Sequence, residues 1–141
     1  MRKREQKLWD RMRNGLKKNL YIERMENVVS SGRPDVDTMW HGITIPVELK
    51  AAEQYPARPG TPVLGKSKGL SQNQLNWWLK WKLWGGSGFI VIAVATDVFA
   101  VPAKYSDEVN SFTRAQLWEY ETKWVQLTEI IKKEATCLQN R

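Results

Sequence analysis

The segment FIVIAVA at 89–95 constrains the chain more than any other. Seven consecutive apolar residues, entered from Gly85-Gly86-Ser87-Gly88, are too few to cross a membrane, and their length and composition favour a buried strand over a helix. VFAV at 98–101 follows as its hairpin partner across Thr96-Asp97. A buried strand needs apolar layers, and helical patterns elsewhere supply them. Residues 2–19 place Leu8, Met12 and Leu16 four apart, with Trp9 on the same face and bases around the remainder. LSQNQLNWWLKWKLWGG at 70–86 has legible ends: Ser71 is the N-cap, Gln74 completes a capping box, Leu70 and Leu75 are placed to staple, and Gly85-Gly86 stops it. Thr113 caps a short helix through Trp118, and residues 122–136 form a weaker last helix.

LYIERM at 20–25 and DVDTMW at 35–40 are short strand candidates, and ITIPVELK at 43–50 alternates cleanly. Pro46 lacks a ladder donor and so calls for an edge position or a bulge. Residues 51–69, with three prolines, three glycines and three bases, read as a long loop. The order α-β-β-β-loop-α-β-β-α predicts an α/β or α+β fold, a mixed β-sheet flanked by helices, as one domain over 1–141. One cysteine, Cys137, and one histidine, His41, exclude an intramolecular disulfide and a zinc cluster. No apolar h-region follows MRKRE, so the expected location is cytoplasmic, with no membrane partner.

Charge is unevenly placed. Of 22 Lys+Arg and 15 Asp+Glu, residues 1–19 hold a net +6, residues 20–49 a net −3 and residues 50–82 a net +5. An acidic island between basic stretches fits a specific site set in a polyanion-binding surface. Within the island, Pro34 fixes its own φ and holds Asp35 at a turn. Glu48 and Lys50, two apart on a strand, project to one side. Two carboxylates and an ammonium in one cleft suit a Mg²⁺ site beside a phosphodiester: the acids hold the hard cation, and the lysine stabilises developing charge. A solvated strand face is the alternative for a bare Glu-x-Lys.

SGRPDV (31–36), VELK (47–50), GLSQNQLNWWL (69–79) and GGSGFIVIAV (85–94) together resemble the PD-(D/E)xK nuclease superfamily. The series is most similar to its VRR-NUC branch, related to Holliday-junction resolvases and including small stand-alone phage nucleases. The resemblance spans about residues 20–100 and implies a restriction-endonuclease-like sheet and a Mg²⁺-dependent DNA endonuclease, with Mn²⁺ as substitute. It makes Asp35 and Glu48 the metal carboxylates, the Leu49 carbonyl a further ligand and Lys50 the catalytic lysine. Gln74 takes the place of an active-site glutamine, although Ser71-x-x-Gln74 is equally a capping box. An acid from the first helix completes the family's site, with Glu5 best placed and Glu23 or Glu26 competing. If the chain is viral, the compartment is the host-cell cytoplasm.

DNA contacts are expected from Arg2, Lys3 and Arg4, from Arg33, and from Lys66 and Lys68. P-loop, helix-turn-helix and zinc-finger patterns are absent, so neither a nucleotide cofactor nor base readout is signalled. The alternative function is a non-catalytic nucleic-acid-binding protein on the same fold. Four of the eight tryptophans, Trp77, Trp78, Trp81 and Trp84, lie on the second helix. At helical spacing they read as sheet packing rather than a base-stacking platform, with Trp78 free to reach a partner subunit. That surplus, with Trp118, Tyr120 and Trp124, and the need for two sites to cut two strands, predicts a homodimer. His41 reads as a solvated turn residue, Asp37 as an acidic neighbour of Asp35, and Cys137 as incidental.

Overall fold

The computed structural model describes residues 3–25 and 32–141. Arg2 and Glu26 fall outside them. A five-stranded mixed sheet, in spatial order β1 to β5, carries helices on both faces. Its strands are β1 (Tyr21–Arg24), β2 (Val36–Trp40), β3 (Ile43–Ala52), β4 (Phe89–Val94) and β5 (Asp97–Pro102). All neighbours are antiparallel except β3 and β4, which run parallel. The crossover between those two contains α2 (Gly65–Lys68) and α3 (Gln72–Leu83), and the chain closes with α4 (Arg114–Trp118) and α5 (Trp124–Gln139). This is the expected α+β architecture.

α1 (Lys3–Leu16) forms because Leu8, Met12 and Leu16 recur along one stripe, and all three are buried with Trp9. That stripe and α5 cover one face of the sheet, enclosing Val47, Leu49, Phe89 and Val91. The two helices approach closely at Gly15, where a Cβ would run into the Trp124 ring. The opposite face is covered at its β4–β5 end by Trp78 of α3, with Leu70, Leu117 and Phe112 around it.

Three local expectations are corrected. Pro46 lies in the central strand β3, opposite Asp37, and needs neither edge nor bulge, since pairing with β4 begins only at Val47. The β4–β5 hairpin turns at Ala95-Thr96, one residue earlier than expected, with Ala95 at φ 53°. The 51–69 loop contains the short helix α2. The β2–β3 turn is His41-Gly42, both at positive φ, and His41 is exposed there and stacks on Trp40.

Candidate active site

Alternation along β3 sends Val47 and Leu49 under α1 and α5, and Glu48 and Lys50 to the other face. There α3 covers only the β4–β5 side. The register places Tyr21 and Glu23 of β1 and Asp37 and Met39 of β2 on the same face as Glu48 and Lys50. Half of this face is therefore polar and acidic, beside an apolar half.

Asp35 is fixed at the head of β2 by its surroundings. Gly32 adopts φ +84°, and a Cβ there would run into the Asn73 carbonyl at the start of α3, so only glycine lets the turn and helix meet. The Asp35 carbonyl accepts from Met25 N–H at 2.7 Å. Its carboxylate Oδ2 accepts from Leu49 N–H at 3.4 Å, across the gap where β2, starting at Val36, no longer pairs with β3. In a strand the N–H and C=O of one residue point to the same edge, so the Leu49 carbonyl opens towards Asp35 as well.

Glu48 is 1% exposed, and among the described residues its Oε2 has no hydrogen-bond partner. Burial, above all, raises its pKa well above the ordinary carboxylate range. The Asp35 carboxylate within hydrogen-bonding reach adds to this and Glu5 contributes, while the Lys50 ammonium opposes it. Lys50 is itself 9% exposed. Of the competing acids, Glu5 acts on Glu48, whereas Glu23 acts on Asp37 and accepts from the Tyr21 hydroxyl at 2.7 Å. Glu26 lies outside the described residues.

The donor set fits a hard cation. Two adjacent carboxylates with an unpartnered buried oxygen, and a carbonyl opening beside them, are acceptors in want of positive charge. Asp35, Glu48 and the Leu49 carbonyl could hold such an ion and leave positions for water. Among the described residues no three His, Cys, Asp or Glu side chains gather to hold a metal by themselves.

The remaining expected residues are distributed unevenly. Gln74 completes the capping box: its Oε1 accepts from Ser71 N–H at 2.9 Å, and its own N–H donates to Ser71 Oγ at 3.2 Å. It sits where α3 abuts the Gly32 turn. Arg33, expected on DNA, is also held by Asp37 at 2.6 Å, a pair that sequence reading missed although Arg-x-x-x-Asp was its signal. Burial raises the Asp37 pKa, and Arg33 opposes that rise. Lys3, Arg4 and Lys7 line a hollow of about 470 Å³ with Glu5 and Ala51, at the end of β3 that carries Lys50, and Arg4 pairs with exposed Glu53 at 3.2 Å. Lys66 and Lys68 lie on α2, and Lys68 lines a different hollow beside Tyr55.

The tryptophans divide differently from expectation. Trp78 is wholly buried within the chain, so its ring is not free to face a second copy. Trp77 and Trp81 are half-buried, and Trp84 is 91% exposed. The cause is the close seat of α3 at Gly88, whose missing Cβ leaves room for the Trp78 ring and turns that residue inward. Tyr120 packs on Phe112, and Trp124 packs at Gly15, so of the second aromatic group only Trp118 is exposed.

No known protein family and no curated protein matches the sequence. A solved structure does match in shape: Hjc, a Holliday junction resolvase from the archaeal hyperthermophile Archaeoglobus fulgidus, at TM-score 0.59. The fold is resolvase-like. The superposition covers 92% of this chain and 96% of Hjc at 12% identity, so what the two share is the arrangement of strands and helices. No helix among the described residues is long and apolar enough to cross a membrane.

Proposed function

We propose that the protein is a metal-dependent endonuclease that hydrolyses DNA phosphodiesters, with a preference for branched substrates. The observation that carries this reading is the buried Glu48 carboxylate, one oxygen of which has no partner among the described residues, set against Asp35 and Lys50. Such an arrangement costs stability unless a cation occupies it, so it is a poor structural device and a good ligand set. The resolvase-like fold supports the choice of substrate.

Asp35, Glu48 and the Leu49 carbonyl would hold Mg²⁺, or Mn²⁺ in its place. The bound ion supplies charge neutralisation at the phosphate and a water of lowered pKa. Lys50 stands beside Glu48 and donates to the phosphate oxygen that gains charge as water attacks phosphorus and the bond to the leaving sugar oxygen breaks. Gly32, Pro34 and the Leu49 N–H hold the Asp35 carboxylate in place, so its position costs little reorganisation. Lys3, Arg4 and Lys7 attract the DNA backbone along the first helix. Because one domain cuts one strand, we place two copies in the working assembly.

Supercoiled plasmid, linear duplex, flap and four-way junction, each with Mg²⁺, Ca²⁺ or EDTA, test the reading. Cleavage in Mg²⁺ alone, strongest on a branched substrate, is the expected result. Tight binding without cleavage in any metal would leave a non-catalytic DNA-binding protein. Sedimentation equilibrium should give twice 16.4 kDa. A monomer mass with and without junction DNA would leave a nicking enzyme.

A further inference from the structure

We propose that the groove along α3 seats one or two unpaired nucleotides of the DNA substrate beside the Asp35 turn. This rests on the reading of the substrate as DNA and deepens it: the enzyme would distinguish branched or flapped DNA by a displaced strand.

The groove holds about 650 Å³, within the range of small-ligand sites, and its wall is made by Trp77, Trp81 and Trp84. Arg33 and Lys80 also line it, and among the described residues no carboxylate does. Its aromatic wall is rigid. Trp77 and Trp81 lie nearly parallel, 21° apart with centroids at 5.0 Å, and buried Trp78 meets Trp77 edge-on at 5.2 Å. Trp81 Nε1 donates to the Ser87 carbonyl at 2.7 Å, which ties down the polar edge of the ring. Trp84 extends the row into solvent.

Large exposed aromatic rings usually mark a binding surface, and the charge says for what. Lys80 makes no ion pair among the described residues. Arg33 is held by Asp37 through one terminal nitrogen, while its buried Nε has no acceptor among the described residues. A cationic, carboxylate-free aromatic groove complements a phosphate-bearing aromatic ligand. A duplex hides the faces of its bases in the stack, whereas unpaired nucleotides present them. Arg33 lies two residues before Asp35, and the start of α3 packs on Gly32, so the groove adjoins the candidate active site. A strand seated there would place its branch point near Glu48.

The test compares affinities of the full chain, in EDTA, for a fluorescein-labelled oligothymidylate of about ten nucleotides and for a blunt duplex of equal length. Trp84→Ala and Lys80→Ala alter exposed side chains and should leave the fold intact. Trp84→Ala should lower the single-strand to duplex affinity ratio by roughly tenfold. Lys80→Ala should flatten the salt dependence of single-strand binding by about 0.7 in log–log slope. Trp77→Leu, with folding checked by near-ultraviolet circular dichroism, should lower the ratio again. An unchanged ratio in both exposed variants would overturn the proposal. So would a fall in assembly mass on Trp84→Ala, which would make the tryptophan row a contact between copies. Plasmid cleavage by the wild-type chain in Mg²⁺ is read separately. A ratio that falls while nothing is cleaved keeps the groove and removes the nuclease, and cleavage with an unchanged ratio does the reverse.

Discussion

On one side of β3, Val47 and Leu49 are sealed beneath α1 and α5 among Leu8, Met12, Leu16, Leu127 and Ile131. On the other side, Glu48 and Lys50 are nearly as deeply buried, but the face they share with β1 and β2 carries the acids Glu23 and Asp37. One strand thus carries two opposed balances. The apolar side gains from dehydration, about 25 cal/mol per Å² of surface removed from water. The acidic side loses by it, because an ionised carboxylate is dehydrated without a donor for one of its oxygens. Strain of this kind can persist because the same backbone is clamped from behind. Stability and chemistry are segregated by the two-residue period of a strand.

The comparison is broken most severely on the acidic side. Glu48→Gln should reduce cleavage by roughly 100-fold or more while DNA binding in Ca²⁺ stays close to wild type, and Asp35→Asn should do the same. Cleavage within a few-fold of wild type would remove Glu48 from the site. Lys50→Ala should lower turnover with metal binding retained. Lys50→Arg should restore it only in part, since a planar guanidinium is no substitute for a compact ammonium.

On the apolar side, Leu49→Ala should cost about 2–5 kcal/mol in urea unfolding. Glu48→Gln, one residue away, should do the opposite in EDTA at neutral pH and raise the melting temperature. A loss of stability in both variants would show that the two sides are not opposed.

The pH dependence sharpens the same contrast. Because the folded-state pKa of Glu48 is raised, the folded chain holds that proton more tightly than the unfolded chain. The metal-free protein should therefore carry no penalty from this group below its ordinary value of 4.5, and lose stability as pH rises from there through the raised value. The wild-type melting temperature minus that of Glu48→Gln, followed in EDTA, should fall over this window. Added Mg²⁺ should flatten it, and a difference that does not vary with pH would contradict the burial argument.

The smallest effect concerns Gln74. Gln74→Ala should cost about 1 kcal/mol by removing half of the capping box, while Gln74→Glu keeps the acceptor for Ser71 N–H and should keep the stability. If Gln74→Glu also keeps full cleavage, the residue is a cap and nothing more.

Periodicity and punctuation made much of this legible. α1, α3, the buried strand at 89 and the Thr113 cap could be read from spacing alone, because each is decided by neighbours within one or two turns. Asp35, Glu48 and Lys50 were legible as a set, and the fold draws them together. What spacing could not give depends on contacts between distant segments. Trp78 rather than its neighbours turns inward because Gly88, ten residues on, makes room for its ring. Pro46 is tolerated in mid-sheet because of where β4 begins, which nothing in ITIPVELK reveals.

The parallel pairing of β3 with β4 has a kinetic consequence. The β2–β3 and β4–β5 hairpins close over two-residue turns, events of about 1–10 μs in isolation. Glu48 and Ile90, by contrast, meet across a separation of about 40 residues, so the entropy of closing that loop is lost before any pairing offsets it. Docking of two preformed hairpins, rather than the making of either, should set the folding rate. Conservative truncations along the β3–β4 seam, such as Ile90→Val and Val91→Ala, should then slow folding, whereas changes at the hairpin turns should mainly speed unfolding. The acidic pair loses its water only in that late step, so a chain arrested before it would still have its candidate site hydrated and open.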